Sequence, residues 1–320
     1  MNGLPLIEAV ELRRSYDVSA PWLNRVLERR PRQFLNAVAG VDFSIEKGQT
    51  LALVGESGCG KSTVAKLATG LQTPTDGKIV YRGDLSRVQM IFQDPYASLN
   101  PRWRVSRIIA EPLRTLKPSL SRPDVARRVN ELLETVGLSG GDGSKYPHEF
   151  SGGQRQRISI ARALSGEPEF LVCDEPTSAL DVSVQAQILN LMKSLQKEYG
   201  LTYLFISHDL SVVRHMADVI AVMYLGKIVE IAPKQELFDN PLHPYTRLLL
   251  DTIPNLANPV RDRPAMGGEI PSPIDPPAGC SFHPRCPLAH ERCLQETPER
   301  NSHQFAGRVA CFAAQERVGA

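Results

Sequence analysis

The sequence predicts an α/β fold built on a nucleotide-type core, with a helical insertion and a small extension of different composition. Three observations carry this. A short apolar run, residues 50–54, meets a glycine-rich loop and then a helix-forming stretch. Between the apolar strands at residues 88–92 and 170–174, residues 101–164 carry a helical pattern. Beyond residue 231, Pro, His, Asn and Arg rise and apolar periodicity becomes brief.

In chain order, Leu6 to Tyr16 reads as a first strand. The Pro- and Arg-rich connection 17–33, with Arg25, Arg29, Arg30 and Arg32, reads as a solvated loop. Val38–Ile45 and Gln49–Val54 read as strands joined by a Lys47-Gly48 turn. Gly55 to Thr63 reads GESGCGKST, which fits G-x-x-x-x-G-K-[ST]. Gly55, Gly58 and Gly60 let the backbone turn its N–H groups inward, and the following helix adds partial positive charge at its N-terminus. Glu56, Ser57, Cys59 and Thr63 complete the loop. Lys61 is expected to reach the β- and γ-phosphates of a nucleotide, and Ser62 to hold Mg²⁺. The bland alternative is a glycine turn before an ordinary helix. The lysine, the hydroxyl and both flanks weigh against it.

Pro74–Gly77 reads as a turn and Lys78–Tyr81 as a strand; Val88–Phe92 is a strand ending at Gln93. In the insertion, Val125, Val129, Leu132, Leu133 and Val136 recur near the helical period, closed by Gly137 and Gly140-Gly141. Ser151-Gly152-Gly153 opens another helix, reaching about Leu164. The core resumes with Phe170–Asp174, a helix over Val182–Tyr199 stopped by Gly200, and a strand Thr202–Ile206. A short helix after His208 and strands near Val219–Tyr224 and Lys227–Ile231 follow. A domain boundary is placed near 231–240. Residues 1–235 then form an ATP-binding domain with a helical subdomain at about 94–165, and residues 236–320 an extension.

Phe170–Asp174 supplies a second element of such a site, an apolar strand ending in a carboxylate. Asp174 is expected to hold Mg²⁺ through water, and Glu175 beside it to polarise an attacking water as general base. The alternative is two acids ending a strand in a solvated turn. His208, after Thr202–Ile206, and Gln93 end strands on the same edge. His208 is expected to reach the γ-phosphate, and the Gln93 amide the metal or the water. Tyr16 is a candidate to stack on adenine. Ser151, Gly152, Gly153 and Gln154 form a second anion-binding helix start, away from the chain's own phosphate loop. Two phosphate-binding helix ends in one chain make sense if each ATP is sandwiched between two chains. Alone, the segment would read as an ordinary Ser cap.

The chain has 320 residues and a net charge of +2, which argues against a dominant nucleic-acid or lipid electrostatic role. No apolar run approaches the ~18 residues of a membrane span. The N-terminus lacks a basic start before an apolar core, so it does not read as a signal peptide. The expectation is a soluble, cytosolic chain whose membrane association comes through a partner.

These motifs, with FSGGQRQR (Phe150–Arg157), FLVCDEPTSALD (Phe170–Asp181) and ISHD (Ile206–Asp209), resemble the ATP-binding subunits of ABC transporters, in the family's order. FQDPYASLNPR (Phe92–Arg102), NPLHPYTRLLL (Asn240–Leu250) and PSPIDPPAGCSFHPRC (Pro271–Cys286) resemble the dipeptide/oligopeptide importer branch, and Gln154, Glu175 and His208 the second of its two ATPase subunits. Phe150 replaces the commoner Leu, and the Gly83–Val88 connection is short for the family.

The resemblance implies a phosphate-loop NTPase (RecA-like) core with an antiparallel β subdomain, inserted helical subdomain and C-terminal extension. It implies ATP and Mg²⁺, and Ser151–Gln154 closing over the γ-phosphate held by an identical or homologous second ATPase. Its implied partners are two transmembrane permease subunits and, indirectly, a periplasmic solute-binding protein, on the cytoplasmic face of a bacterial inner membrane. Peptide, nickel, glutathione or opine-like cargo all fit the family. The competing classes are a soluble ABC protein acting on nucleic acid or ribosomes, and a phosphate-loop kinase, which leaves the SGGQ helix unexplained.

Of six cysteines, Cys280-x5-Cys286-x6-Cys293-x17-Cys311 crowd the tail. The spacing lacks the C-x2-C pairs of zinc sites and suits a four-iron four-sulfur cluster, which the family's extension resembles. Zinc and ordinary reduced thiols remain open alternatives.

Overall fold

The computed structural model describes residues 4–28, 31–252, 268–300 and 308–318. In chain order they form β1 (Ile7–Asp17), α1 (Trp22–Glu28), β2 (Phe34–Ile45), β3 (Thr50–Val54), α2 (Lys61–Ala68), β4 (Asp76–Tyr81), β5 (Val88–Ile91), α3 (Pro95–Ser98), α4 (Val105–Leu116), α5 (Arg122–Thr135) and α6 (Gly152–Ser165). They continue with β6 (Phe170–Asp174), α7 (Val182–Tyr199), β7 (Thr202–Ser207), α8 (Leu210–Met216), β8 (Val219–Tyr224), β9 (Lys227–Pro233), α9 (Lys234–Asp239), α10 (Pro244–Asp251), α11 (Glu291–Gln295), β10 (Arg308–Val309) and α12 (Phe312–Val318). Arg29 and Arg30 lie outside the described residues.

Contacts divide the chain into two compact units. One holds Met1–Ile7, Ile45–Thr50 and Tyr81–Ser207; the other holds Glu8–Ser44, Leu51–Val80 and His208–Ala320.

In the first unit, β5, β6 and β7 pair in parallel, with Ile91 opposite Cys173 and Asp174 opposite Ile206. Every residue of β6 and β7 is buried, which is why both read as continuous apolar runs rather than alternating ones. The Asp181 carboxylate caps α7 by accepting from Val184 N–H at 3.0 Å. Gly200 ends that helix at φ +65°, the left-handed conformation glycine adopts without steric cost. Helix α7 buries Ile188, Leu189, Met192 and Leu195, one face at the 3.6-residue period. In the helical segment, α5 buries Val125, Val129, Leu132 and Leu133, and Val136 just past its end is also buried. Helix α4 turns Ile108, Ile109 and Leu113 inward and packs on α5 and α6.

In the second unit, β2, β1 and β4 form a three-stranded antiparallel sheet. Strand β3 pairs in parallel with β8, Leu53 opposite Ala221, and β8 pairs antiparallel with β9. Strand β10 extends β9 on its other side, Val309 opposite Glu230. The core here gathers Val54, Val222, Tyr224, Leu237, Tyr245 and Phe282. Tyr224, Tyr245 and Phe282 meet as a ring cluster, with centroids 4.8–5.4 Å apart. Residues on both sides of the expected 231–240 boundary therefore share one apolar core. His243 lies inside it; burial depresses its pKa to about 3, and the neutral ring accepts Tyr245 N–H at Nδ1, 3.0 Å. Glu230 accepts the N–H groups of Leu242 and His243, both at 2.9 Å, and so ties the start of α10 to β9.

One element departs from the sequence reading. The 17–33 connection contains α1 rather than loop alone. Its Trp22 and Leu27 are 71% and 75% exposed, so no core-facing stripe announced a helix. No described helix is long and apolar enough to cross a membrane.

Candidate functional site

The phosphate loop joins fully buried β3 to α2. Gly55 has φ +154°, and a Cβ there would collide with the Met223 carbonyl oxygen. Gly60 has φ +107°, and a Cβ there would strike the Ala37 carbonyl. Only glycine fits either place, so the motif's fixed glycines are a packing requirement as well as a torsional one. Gly226 donates its N–H to Cys59 C=O and accepts from Ala39 N–H, which ties the loop to the β8–β9 turn and β2. Lys61, 5% exposed, donates from Nζ to the carbonyls of Gly55 at 2.7 Å and Glu56 at 2.9 Å. Its ammonium thus sits inside the ring of loop carbonyls. Cys59 lies 3.8 Å from Nζ; desolvation pushes its thiol pKa up despite that neighbour. Ser62 and Thr63 follow on the first turn of α2. His208 precedes Asp209, whose carboxylate caps α8 through Ser211 N–H at 2.7 Å. Tyr16, near the end of β1, donates its hydroxyl to Gln72 Oε1 at 2.6 Å, and the Arg14 guanidinium lies 4.8 Å from its ring centre.

In the other unit, Asp174 ends β6 and is buried to 5% exposure. Glu175 adopts φ +45°, a left-handed conformation that costs a non-glycine residue roughly 1–2 kcal/mol. It is held there by its N–H on Ile206 C=O at 3.0 Å and by Ser178, whose N–H and hydroxyl both donate to its carbonyl. Gln93 Nε2 donates to Glu175 Oε2 at 3.2 Å. The sequence placed these two side chains at one strand edge, and the structure brings them together. Strain held at a carboxylate that faces a glutamine amide is typical of sites where orientation matters.

Ser151 caps α6 in a reciprocal box. Its Oγ accepts from Gln154 N–H at 3.4 Å, and Gln154 Oε1 accepts from Ser151 N–H at 3.0 Å. Ser151, Gly152 and Gln154 are exposed, while a Cβ on Gly153 would run into Val184. The start of this 14-residue helix therefore faces solvent, with the Ser151 and Gln154 N–H groups satisfied inside the box.

A solved structure of cbiO1 from Clostridium perfringens, described as part of the ABC transporter complex cbiONQ, matches this chain with TM-score 0.62 and 26% identity, over 74% of this chain and 92% of that one. A dimeric structure of MJ0796, a bacterial ABC transporter cassette, matches with TM-score 0.60 and 25% identity, over 71% and 98%. The ABC transporter family pattern matches residues 38–178, and that of the oligopeptide/dipeptide transporter C-terminal region matches residues 229–293. The oligopeptide transport ATP-binding protein AppF of Bacillus subtilis is 51% identical over 294 residues, 87% of this chain and 89% of that protein. The dipeptide transport ATP-binding protein DppF of Haemophilus influenzae is 47% identical over 325 residues, 97% of each. This chain belongs to the ABC transporter ATP-binding proteins of the oligopeptide/dipeptide branch.

As an ABC ATP-binding protein it carries one feature at the phosphate loop that the motif does not encode. Tyr245, on α10, accepts Glu56 N–H at its hydroxyl, 2.9 Å, and Arg285 grips the Glu56 carboxylate with two hydrogen bonds, 2.8 and 2.9 Å. Both residues sit inside stretches that resemble the importer branch, NPLHPYTRLLL and FHPRC, but nothing in those patterns indicates a contact with residue 56. The four tail cysteines do come into one neighbourhood. Cys280 N–H donates to Cys293 C=O at 2.9 Å, and the thiols of Cys280, Cys286 and Cys311 each feel other members of the set. Desolvation raises all three, Cys286 to about 11. Yet among the described residues no three Cys, His, Asp or Glu side chains stand as a metal-holding group. The geometry thus gathers the thiols without arranging them as ligands, and the expectation of an iron–sulfur site gains no support from it.

Proposed function

We propose that this chain is the ATPase subunit that couples ATP binding and hydrolysis to import of di- or oligopeptides across a bacterial inner membrane. The observation that carries this is the 47% identity to a dipeptide transport ATP-binding protein over 97% of both chains, so the likeness includes the extension as well as the cassette. The 49% identity to the oligopeptide transport ATP-binding protein OppF of Salmonella typhimurium, over 96% of each, points the same way.

In this reading Lys61 leaves the loop carbonyls and binds the β- and γ-phosphates, while the loop N–H groups after Glu56, as far as Thr63, cradle them. Tyr16 stacks on adenine. The hydroxyl of Ser62, the carboxylate of Asp174 and the amide oxygen of Gln93 are hard oxygen donors of the kind Mg²⁺ takes. When bound, that ion neutralises charge on the phosphates. Glu175 orients water and accepts its proton; His208 stabilises charge on the transferred phosphoryl group. Ser151–Gln154 of one ATPase close on the γ-phosphate held by the other, identical or homologous. The dimeric form described for the MJ0796 cassette supports such pairing. Two permease subunits and, through them, a periplasmic binding protein complete the assembly, and place this chain on the cytoplasmic face.

The test is to express the chain together with candidate peptide-importer permease subunits from the same organism. The expected result is a co-purified complex whose ATP turnover rises when peptide-loaded binding protein is added. A chain that never associates with permease subunits, or turnover blind to peptide, would contradict the proposal. The narrower reading, that Cys280, Cys286, Cys293 and Cys311 hold a four-iron four-sulfur cluster, rests on the family resemblance and on their spacing in the sequence. Near-400 nm absorbance with bound iron in anaerobically purified protein would support it; colourless, iron-free protein would remove it.

A further inference from the structure

We infer that Arg285 is a positioning residue for the phosphate loop: the C-terminal extension holds Glu56, and through it the resting shape of the ATP cradle. This rests on the phosphate-loop reading above. Glu56 is the second residue of the loop, and all of its polar groups are occupied. Its N–H donates to Tyr245 Oη at 2.9 Å, its C=O accepts from Lys61 Nζ at 2.9 Å, and its carboxylate takes the bidentate Arg285 fork. Two of these three anchors come from beyond residue 240, on the C-terminal side of the chain. A 250 Å³ cavity between Glu56–Cys59 and Ile270–Pro273 shows the extension running along the outside of the same loop.

The pair is built for rigidity. The Arg285 side chain is 2% exposed and that of Glu56 16%. The guanidinium carbon lies 5.8 and 5.9 Å from the ring centres of Tyr224 and Phe282, members of the second unit's core cluster. A planar fork seated against two packed rings has little freedom left to lose, and a two-bond grip on a carboxylate fixes direction as well as distance. Glu56 also follows Gly55, whose φ of +154° belongs to a torsional region with few restraints of its own. Without Arg285 the Glu56 side chain would lose its anchor, and only the Tyr245 hydroxyl and the Lys61 ammonium would hold its backbone. A bare carboxylate would also stand one residue from a cradle meant for phosphate. Both effects oppose ATP: the loop loses preorganisation, and like charge enters the site.

The experiment uses the full-length protein and a fluorescent ATP analogue (MANT-ATP), with thermal melting and steady-state ATPase measured on the same samples. Arg285→Ala is expected to raise the analogue's Kd and the KM for ATP about tenfold or more while kcat at saturating ATP stays within about twofold, the split expected when a site is less often in its competent shape. In a Glu56→Gln background the same Arg285→Ala change is expected to shift Kd by less than about twofold, because no carboxylate remains to be left bare. A purely structural arginine would lower the melting temperature and leave Kd alone. A folded Arg285→Ala protein with wild-type Kd, or a Kd cost that is undiminished in the Glu56→Gln background, overturns the inference. Where Arg285→Ala does not fold, Arg285→Lys, which keeps the charge but not the fork, is expected to raise Kd about threefold, and an unchanged Kd overturns it. Lys61→Ala serves as the control: if it binds like wild type, the phosphate-loop reading itself has failed; if it alone loses binding, only the role of Arg285 has.

Discussion

Glu175→Gln will bind ATP and fail to turn it over. The substitution keeps the size of the side chain and an oxygen that can accept from Gln93 Nε2, which lies 3.2 Å from the carboxylate in the native chain. The φ of +45° is imposed through the backbone, by the Glu175 N–H on Ile206 C=O and by Ser178 donating to Glu175 C=O, and the substitution leaves those bonds in place. What disappears is the group that takes a proton from water. Losing a positioned general base costs on the order of 10²–10⁴ in rate. The measurement is steady-state ATP hydrolysis beside MANT-ATP binding on the same variant. The expectation is a rate at least ~100-fold lower with affinity unchanged or tighter. Turnover at the native rate would show that the proton goes elsewhere.

Lys61→Ala will lose tight ATP binding. The ammonium satisfies the carbonyls of Gly55 and Glu56 at 2.7 and 2.9 Å. Binding exchanges those neutral acceptors for phosphate oxygens, and a charge-assisted contact is roughly twice as strong as a neutral one. Removing the amine deletes that gain and leaves the buried Gly55 carbonyl without its Lys61 donor, while Glu56 C=O keeps the Cys59 N–H at 3.4 Å. Each unsatisfied buried group costs about 1–3 kcal/mol, so some loss of thermal stability will accompany the loss of affinity. A rise in Kd of about 100-fold, or ~2.7 kcal/mol, is expected by calorimetric titration. Native affinity would overturn the role given to the loop.

The parts legible in the sequence were those whose structure is written locally. The phosphate loop closes within the residues from Gly55 to Lys61, where Lys61 Nζ reaches back to the Gly55 and Glu56 carbonyls, and Ser151 and Gln154 cap one another across three positions. The apolar runs of β6 and β7 could be read because both strands are buried on each face. The parts that could not be read depend on distant pairing or on faces that solvent covers. Helix α1 has exposed apolar residues at Trp22 and Leu27 and therefore no stripe. The β10–β9 pairing joins Val309 to Glu230, and the Arg285–Glu56 grip spans 229 positions; no window of sequence contains both ends. The tail cysteines stand between these cases. Their crowding was visible and their proximity is real, but ligand geometry depends on side-chain placement that spacing does not encode.

The most direct test of the two-chain ATP engine is Ser151→Asp, assayed for ATP binding and for turnover in the assembled transporter. Aspartate caps a helix as well as serine does, so α6 should stay formed. It places a negative charge where the γ-phosphate held by the partner ATPase would have to sit. ATP binding to this chain's own loop should be unaffected, and turnover should fall at least about tenfold, a conservative figure for removing one stabilising contact from a transition state. Turnover at the native rate in the Ser151→Asp transporter would contradict the proposal that each nucleotide is clasped by two chains.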